Sequence, residues 1–265
     1  MRAEQVRLAY DDEIVIDRLD LAIPDGQITA IVGPNACGKS TLLRALARLL
    51  TPSTGQVILD GKQIHSLGTR EVARRLGLLP QSPIAPDGIL VVDLVARGRT
   101  PHQRIFQQWS REDERAVRRA LEATGTFDLA ERPVDELSGG QRQRVWIAMA
   151  LAQDTELLLL DEPTTFLDIS HQMDVLGLVH DLNHQRGRTI VIVLHDLNLA
   201  SRYAHHMVMM RGGDIVAAGQ PTDIITDTSV HEVFGLRCTV IDDPISHTPL
   251  VIPSDNRHRN SDQSS

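Results

Sequence analysis

Residues 28–41 have the sequence Ile-Thr-Ala-Ile-Val-Gly-Pro-Asn-Ala-Cys-Gly-Lys-Ser-Thr, and they decide the fold. Residues 28–32 are apolar and rich in β-branched side chains, which predicts a buried strand. Gly33 and Gly38 bracket a tight loop, and leucines at helical spacing follow Lys39. A strand, a loop of the pattern G-x-x-x-x-G-K-S/T and a helix, in this order, predict a phosphate-binding loop.

The spacing of this loop has a physical reason. Glycine lets the backbone approach a phosphate, successive amides form an anion-binding nest, and the helix that follows adds its positive end. Lys39 would reach the β- and γ-phosphates of a nucleotide, and Ser40 would ligate Mg²⁺. The predicted nucleotide-binding residues of this loop are therefore Gly33, Pro34, Asn35, Ala36, Cys37, Gly38, Lys39, Ser40 and Thr41.

Composition excludes several classes of protein. The chain has 265 residues, 42% of them hydrophobic, and a net charge of −8, which argues against nucleic acid as the main partner. No run of 18 apolar residues predicts a membrane span, and no signal peptide is expected at the amino terminus. Cys37 and Cys238 match no metal spacing, so we expect a reduced cytosolic protein. Within the loop, the amides and Lys39 are expected to favour the thiolate of Cys37.

Polar residues follow the other buried strands. Asp161 and Glu162 come after four leucines, at the strand end where open α/β sheets bind ligands. We expect Asp161 to hold Mg²⁺ through water and Glu162 to take a proton from the attacking water. His195 ends the strand at 189–194; alone it would more often be structural, but its place one strand after the carboxylates favours a catalytic role.

Two further residues have open interpretations. Gln81 ends a strand and could reach a metal-bound water, although a solvent-facing loop glutamine is favoured if it is considered alone. Tyr10 could stack on adenine or pack on the core, and spacing does not decide between them.

Residues 137–141 open another helix. Ser138 and Gln141 match a capping box, which is a sufficient structural explanation. Gly139 and Gly140 are poor helix formers, however, and are better explained if this turn must approach a ligand closely. Bare amides and the Ser138 hydroxyl would make a second anion site.

The order of elements predicts an α/β fold in one domain, residues 1–253. It has a P-loop NTPase core with a mostly parallel sheet, an N-terminal antiparallel β-subdomain with two or three strands in residues 4–23, and an inserted α-helical subdomain at about 89–155. Within the insert, Arg97, Arg99, His102 and Arg104 form a basic cluster, expected to be a solvated face that could also meet a partner. A polar tail at 254–265 is expected to be disordered.

Together these motifs resemble the nucleotide-binding subunits of ATP-binding cassette (ABC) transporters, over about residues 3–253. The pentapeptide Leu-Ser-Gly-Gly-Gln at 137–141, between the phosphate loop and the strand ending in Asp161-Glu162, is very specific to that superfamily. The resemblance implies that two copies of the chain pair head to tail around two ATP molecules. It also implies roles for single residues. Tyr10 stacks on adenine, and Gln81 senses the γ-phosphate and contacts the membrane partner. Ser138, Gly140 and Gln141 cap ATP on the other subunit, while Asp168 is the D-loop aspartate and His195 is the switch histidine.

A narrower resemblance, to importers of ferric siderophores, includes residues 98–102, 134–150 and 195–198. It implies integral membrane permease subunits, an exported siderophore-binding protein, and a peripheral location on the cytoplasmic face of the inner membrane. Vitamin B12 and haem importers are close relatives, and a soluble ABC ATPase is a further alternative. P-loop kinases and GTPases do not account for residues 137–141. The chain departs from the family at Ala36, where glycine is usual; a positive φ there would be unfavourable for alanine by about 1 kcal/mol.

Overall fold

The computed structural model describes residues 1–11, 13–103, 109–165 and 167–254. Arg104 of the predicted basic cluster and the predicted disordered tail beyond residue 254 lie outside the described residues. Among the described residues, every helix is too short or too polar to span a lipid bilayer.

The elements follow one another in an alternating α/β order that is interrupted by a helical block. In chain order they are β1 (Arg2–Tyr10), β2 (Glu13–Ala22), β3 (Ile28–Val32), α1 (Lys39–Leu46), β4 (Thr54–Leu59), β5 (Lys62–Gln63), α2 (Thr69–Ala73), β6 (Leu76–Leu79), α3 (Val91–Ala96), α4 (Arg111–Ala123), α5 (Gly139–Ala152), β7 (Leu157–Leu160), α6 (Ile169–Arg186), β8 (Thr189–Val193), α7 (Leu197–Tyr203), β9 (His206–Arg211), β10 (Asp214–Gly219), α8 (Pro221–Ile224), α9 (Asp227–Phe234), β11 (Cys238–Asp242) and β12 (Pro249–Pro253).

A six-stranded sheet in the order β10-β9-β3-β8-β7-β6 forms the centre of the fold. All its neighbouring strands are parallel except β9 and β10, which form an antiparallel hairpin. β3, β7 and β8 are buried along their whole length, because both faces of a parallel sheet are covered. Alternate side chains of β3 therefore enter two cores: Ile28, Ala30 and Val32 pack on one face, and Ile31 packs on the other.

The N-terminal strands form a separate antiparallel sheet in the order β2-β1-β4-β5. Residues 4–23 hold two strands, because β2 continues through residues 17 and 18 as an irregular strand in which Arg18 has a φ of 55°. Its inner side chains, including Leu8 and Ile16, pack in the same core as Leu42 and Leu43 of α1. The sheet therefore covers the helix that follows the phosphate loop.

The helical block between β6 and β7 contains α3, α4 and α5, which share one core with the central sheet. Ser110 caps α4 through a capping box with Asp113. The prediction that Arg99 belongs to a solvated face is wrong, because the residue is buried at 4% exposure. Its guanidinium donates to Asp113 at 2.9 Å and to the carbonyl of Ala152 at 2.8 Å. The arginine thus ties α4 to the end of α5.

Candidate functional site

The phosphate loop joins the carboxyl end of β3 to α1. A Cβ on Gly33 would lie 2.2 Å from the carbonyl oxygen of Met210, so only glycine allows this approach to β9. Gly38 precedes α1 with a φ of 103°, and no side chain caps that helix. The first amides of α1 therefore remain available to an anion, as the sequence predicts.

Lys39 is buried at 5% exposure and points back along the loop. Its ammonium group donates to the carbonyl oxygens of Gly33 at 2.9 Å and Pro34 at 2.8 Å. These bonds hold a positive charge inside the loop, where phosphate oxygens would be bound. Ala36 has a φ of 60°, the left-handed conformation for which glycine is the favoured residue.

Asp161 and Ser40 meet at the end of β7. The Ser40 hydroxyl donates to Oδ1 of Asp161 at 2.9 Å. Burial raises the pKa of Asp161 and the neighbouring Glu162 carboxylate raises it further, while the bond from Ser40 opposes them. A buried carboxylate beside a hydroxyl is an oxygen donor set of the kind that Mg²⁺ prefers, and a cation there would offset the unfavourable burial of its charge.

Three side chains surround the carboxylate of Glu162, which is 8% exposed. Gln81 donates to Oε2 at 2.5 Å, Thr165 donates to the same oxygen at 3.2 Å, and Nε2 of His195 lies 2.7 Å from Oε1. Burial works to raise the pKa of Glu162, but the hydrogen bonds, led by that of His195, hold it below its ordinary value. The group is therefore ionised at neutral pH, as a general base must be.

These residues line a cleft of about 820 Å³ at the carboxyl edge of the central sheet. The lining residues are Glu13, Val15, Asn35, Ala36, Gly38, Lys39, Ser40, Thr41, Gln81, Glu162 and His195. Tyr10 is not among them, but it pairs with Glu13 at the β1–β2 turn beside the cleft, is 40% exposed, and accepts a hydrogen bond from Arg44.

The signature segment, defined as residues 137–141, is also absent from the described lining of this cleft. Ser138 and Gln141 form the predicted capping box at the start of α5. Asp168 caps α6, accepting the amide N–H of His171 at 2.9 Å, and it does not line the cleft either. One chain therefore brings the phosphate loop, Gln81, Glu162 and His195 together, but not the signature segment.

Three contributions to this region were not predicted. Thr165 bonds Glu162, and Glu13 and Val15 line the cleft. A loop threonine three residues after a carboxylate gives no signal in the sequence, because its contact is made within the turn in which the Thr165 amide also donates to the carbonyl of Glu162. Glu13 and Val15 reach the cleft only because the N-terminal sheet packs over α1.

The expectation of a thiolate at Cys37 is wrong. The side chain is buried at 4% exposure. Burial raises the pKa of the Cys37 thiol, and this effect outweighs the opposing effect of the nearby Lys39 charge. The cysteine acts as a small apolar group under the loop.

Comparison with known proteins agrees with this arrangement. A family model described as "ABC transporter" matches residues 16–165. The ferric enterobactin transport ATP-binding protein FepC of Escherichia coli (strain K12) is 56% identical over 253 residues, 96% of this chain and 93% of the relative. A siderophore transport system ATP-binding protein, YusV of Bacillus subtilis (strain 168), is 55% identical. The matched region covers 94% of this chain and 91% of the length of YusV. The cobalamin import protein BtuD of Halobacterium salinarum (strain ATCC 29341 / DSM 671 / R1) is 39% identical, over 92% of this chain and 61% of its own.

Solved structures give the same result. A chain of an inward-facing transporter, described as a metal-chelate type ABC transporter, aligns with a TM-score of 0.83 at 29% identity over 97% of both chains. The ATP-binding cassette MJ0796, in a dimeric post-hydrolysis state bound to ADP and Pi, aligns with a TM-score of 0.72 at 26% identity over 83% of this chain and 97% of its own. With its phosphate loop, signature segment and Glu162 cleft, the chain belongs to the ABC transporter family, as one of its ATP-binding and ATP-hydrolysing subunits.

Proposed function

We propose that this subunit powers import of a ferric siderophore through a membrane permease. The observation that carries the proposal is the identity of 56% and 55% to two siderophore transport subunits over nearly the whole chain. The identity to a cobalamin importer is lower, at 39%. Vitamin B12 therefore remains the second candidate cargo, and haem is less favoured because no relative cited above is named for it.

In the proposed reaction, the phosphate loop and Lys39 bind the phosphates of ATP, and Tyr10 lies beside the cleft where adenine would stack. Ser40 and Asp161, which share a hydrogen bond of 2.9 Å, would hold Mg²⁺, assisted by Gln81. The ion would neutralise charge on the β- and γ-phosphates. Thr41 and the amides of α1 complete the anion site.

Glu162 is the proposed general base. Its carboxylate is ionised and is oriented by Gln81, Thr165 and His195, so that it can accept a proton from the attacking water. His195 is 44% exposed, so its ring can face both Glu162 and a γ-phosphate. Removal of the γ-phosphate would then remove its contacts with Gln81 and His195.

The signature segment requires a second copy of the chain. Ser138, Gly139, Gly140 and Gln141 present a helix start away from the described lining of the cleft. In a head-to-tail pair these residues and Asp168 would cover ATP bound to the other chain, and the similar MJ0796 cassette is a dimer. ATP would then close the pair, and hydrolysis would open it.

The remaining partners are integral membrane permease subunits, and through them an exported siderophore-binding protein. The subunit would lie on the cytoplasmic face of the inner membrane. Gln81 bonds Glu162 in the cleft and precedes the chain that leads into α3, which supports a role for it in passing the nucleotide state to a permease.

Uptake measurements in the host cell test the cargo. Deleting the gene should abolish uptake of radioactive iron given as a ferric siderophore and leave cobalamin uptake unchanged. The unaltered chain should restore uptake, and Lys39→Ala should not. Loss of cobalamin uptake with normal iron uptake would contradict the siderophore assignment.

A further inference from the structure

His171 lies in the first turn of α6 and is held by Asp168. Nδ1 of its ring lies 2.8 Å from Oδ1 of Asp168, and the same oxygen accepts the backbone N–H of His171 at 2.9 Å. The backbone bond, followed by the ring bond, lowers the pKa of Asp168, so this carboxylate is ionised at neutral pH. The position of the ring is therefore set by the residue that begins the helix.

The same ring packs against the signature segment. A Cβ on Gly140 would lie 2.4 Å from Cδ2 and 2.8 Å from Cγ of His171, so this contact requires glycine. Among the described residues, a Cβ at Gly139 would meet Cδ2 of Leu167 alone, at 4.0 Å. The packing that these residues show therefore requires glycine at position 140 and not at position 139. His171 is thus in contact with the backbone that begins α5.

Residues 162–165 and residues 167–172 each contain internal side-chain hydrogen bonds. Thr165 donates to the Glu162 carboxylate at 3.2 Å, and the side chain of Gln172 donates to the carbonyl of Leu167 at 2.9 Å. Asp168 and His171 complete these bonds at the start of α6. The backbone N–H of Leu167 donates to the carbonyl oxygen of Thr164 at 3.3 Å and joins these two groups of bonds, so hydrogen bonds connect the Glu162 end of the chain to the start of α6.

We infer that His171 is a positioning residue that couples the two nucleotide sites of a pair of chains. This inference rests on the proposed function, because it needs two chains that share their nucleotides. Glu162 acts on ATP bound by its own chain, whereas residues 138–140 act on ATP bound by the partner. His171 contacts both the part of its chain that follows Glu162 and the turn that contains residues 138–140. It therefore fixes the position of the signature segment relative to Asp168.

Substitutions at this position separate its two contacts. The full chain would carry Glu162→Gln to prevent hydrolysis, and dimer formation would be followed by analytical ultracentrifugation against MgATP concentration. His171→Ala removes both contacts and should raise the ATP concentration for half-maximal dimer formation by about tenfold. His171→Asn keeps a donor for Asp168 and should restore part of this loss. MgATP binding to the dilute monomer should change by less than about twofold, because the cleft does not contain His171.

His180→Ala provides the matched control, since it makes the same change on an exposed part of α6 and should leave dimer formation unchanged. The parent chain here is the one that carries Glu162→Gln alone. If this parent and the same chain with His171→Ala form dimers at the same ATP concentration, the inference is wrong while the proposed function stands. It is equally wrong if His171→Ala weakens MgATP binding to the monomer as much as it weakens dimer formation. If the parent itself remains monomeric with ATP, the shared-site function fails and this inference fails with it.

Discussion

At the scale of single residues, the phosphate loop carries one unfavourable backbone conformation. Ala36 has a φ of 60°, which is unfavourable for alanine by about 1 kcal/mol relative to glycine. We expect Ala36→Gly to tighten MgATP binding by up to about fivefold, because the loop can then hold its nest of amides without strain. Titration with a fluorescent ATP analogue measures this change. Asn35→Gly, at a neighbouring position without positive φ, should bring no gain. Unchanged affinity in Ala36→Gly would show that the strain does not limit binding.

Cys37, in the same loop, should react slowly. Because burial raises its pKa, the thiol is protonated at neutral pH, and the thiolate appears only as the pH rises above the ordinary value for cysteine. We expect iodoacetamide to label Cys37 at least about tenfold more slowly in the folded chain than in urea, with little effect of MgATP. Peptide mass spectrometry can follow Cys37 and the second buried thiol, Cys238, in the same sample. Rapid labelling that MgATP prevents would restore the thiolate hypothesis.

At the scale of elements, one buried ion pair joins the helices of the inserted block. The side chains of Arg99 and Asp113 are 5% and 8% exposed, and loss of the arginine would leave the carboxylate buried without its charge partner. We expect Arg99→Ala to lower the free energy of unfolding by about 3 kcal/mol. Arg97→Ala, two residues earlier on the exposed surface, should change it by less than about 0.5 kcal/mol. Urea unfolding compares the two variants, and equal stabilities would contradict the role of the pair.

Elements with strict patterns could be predicted, whereas contacts between elements could not. The leucines of β7, the glycines of the phosphate loop and the lysine that begins α1 specify both the local structure and its ligand, so the cleft follows from the sequence. Arg99 and Cys37 lie in motifs whose composition indicates charge and reactivity, but Arg99 is buried against α4, and Cys37 lies in one core with residues of β9, which are distant in sequence. The contact of His171 with Gly140 could not be predicted for the same reason, because the two residues lie in different elements that are distant in sequence.

For the whole molecule, the proposed function requires two chains, each of which completes the nucleotide site of the other. The cleft in one chain holds the phosphate loop, Gln81, Glu162 and His195, while the signature segment faces elsewhere. ATP is therefore expected to hold two chains together until Glu162 activates the water that cleaves the γ-phosphate. Blocking that step without changing the size of the side chain should trap the closed pair.

The most direct test is size-exclusion chromatography of Glu162→Gln with MgATP, together with its rate of hydrolysis. We expect MgATP binding close to that of the unaltered chain, turnover lower by at least about 100-fold, and accumulation of an ATP-filled dimer. Adding Lys39→Ala to this variant should abolish the dimer. Near-normal hydrolysis by Glu162→Gln would place the base elsewhere, and an ATP-bound monomer in the presence of the permease would contradict the shared-site mechanism.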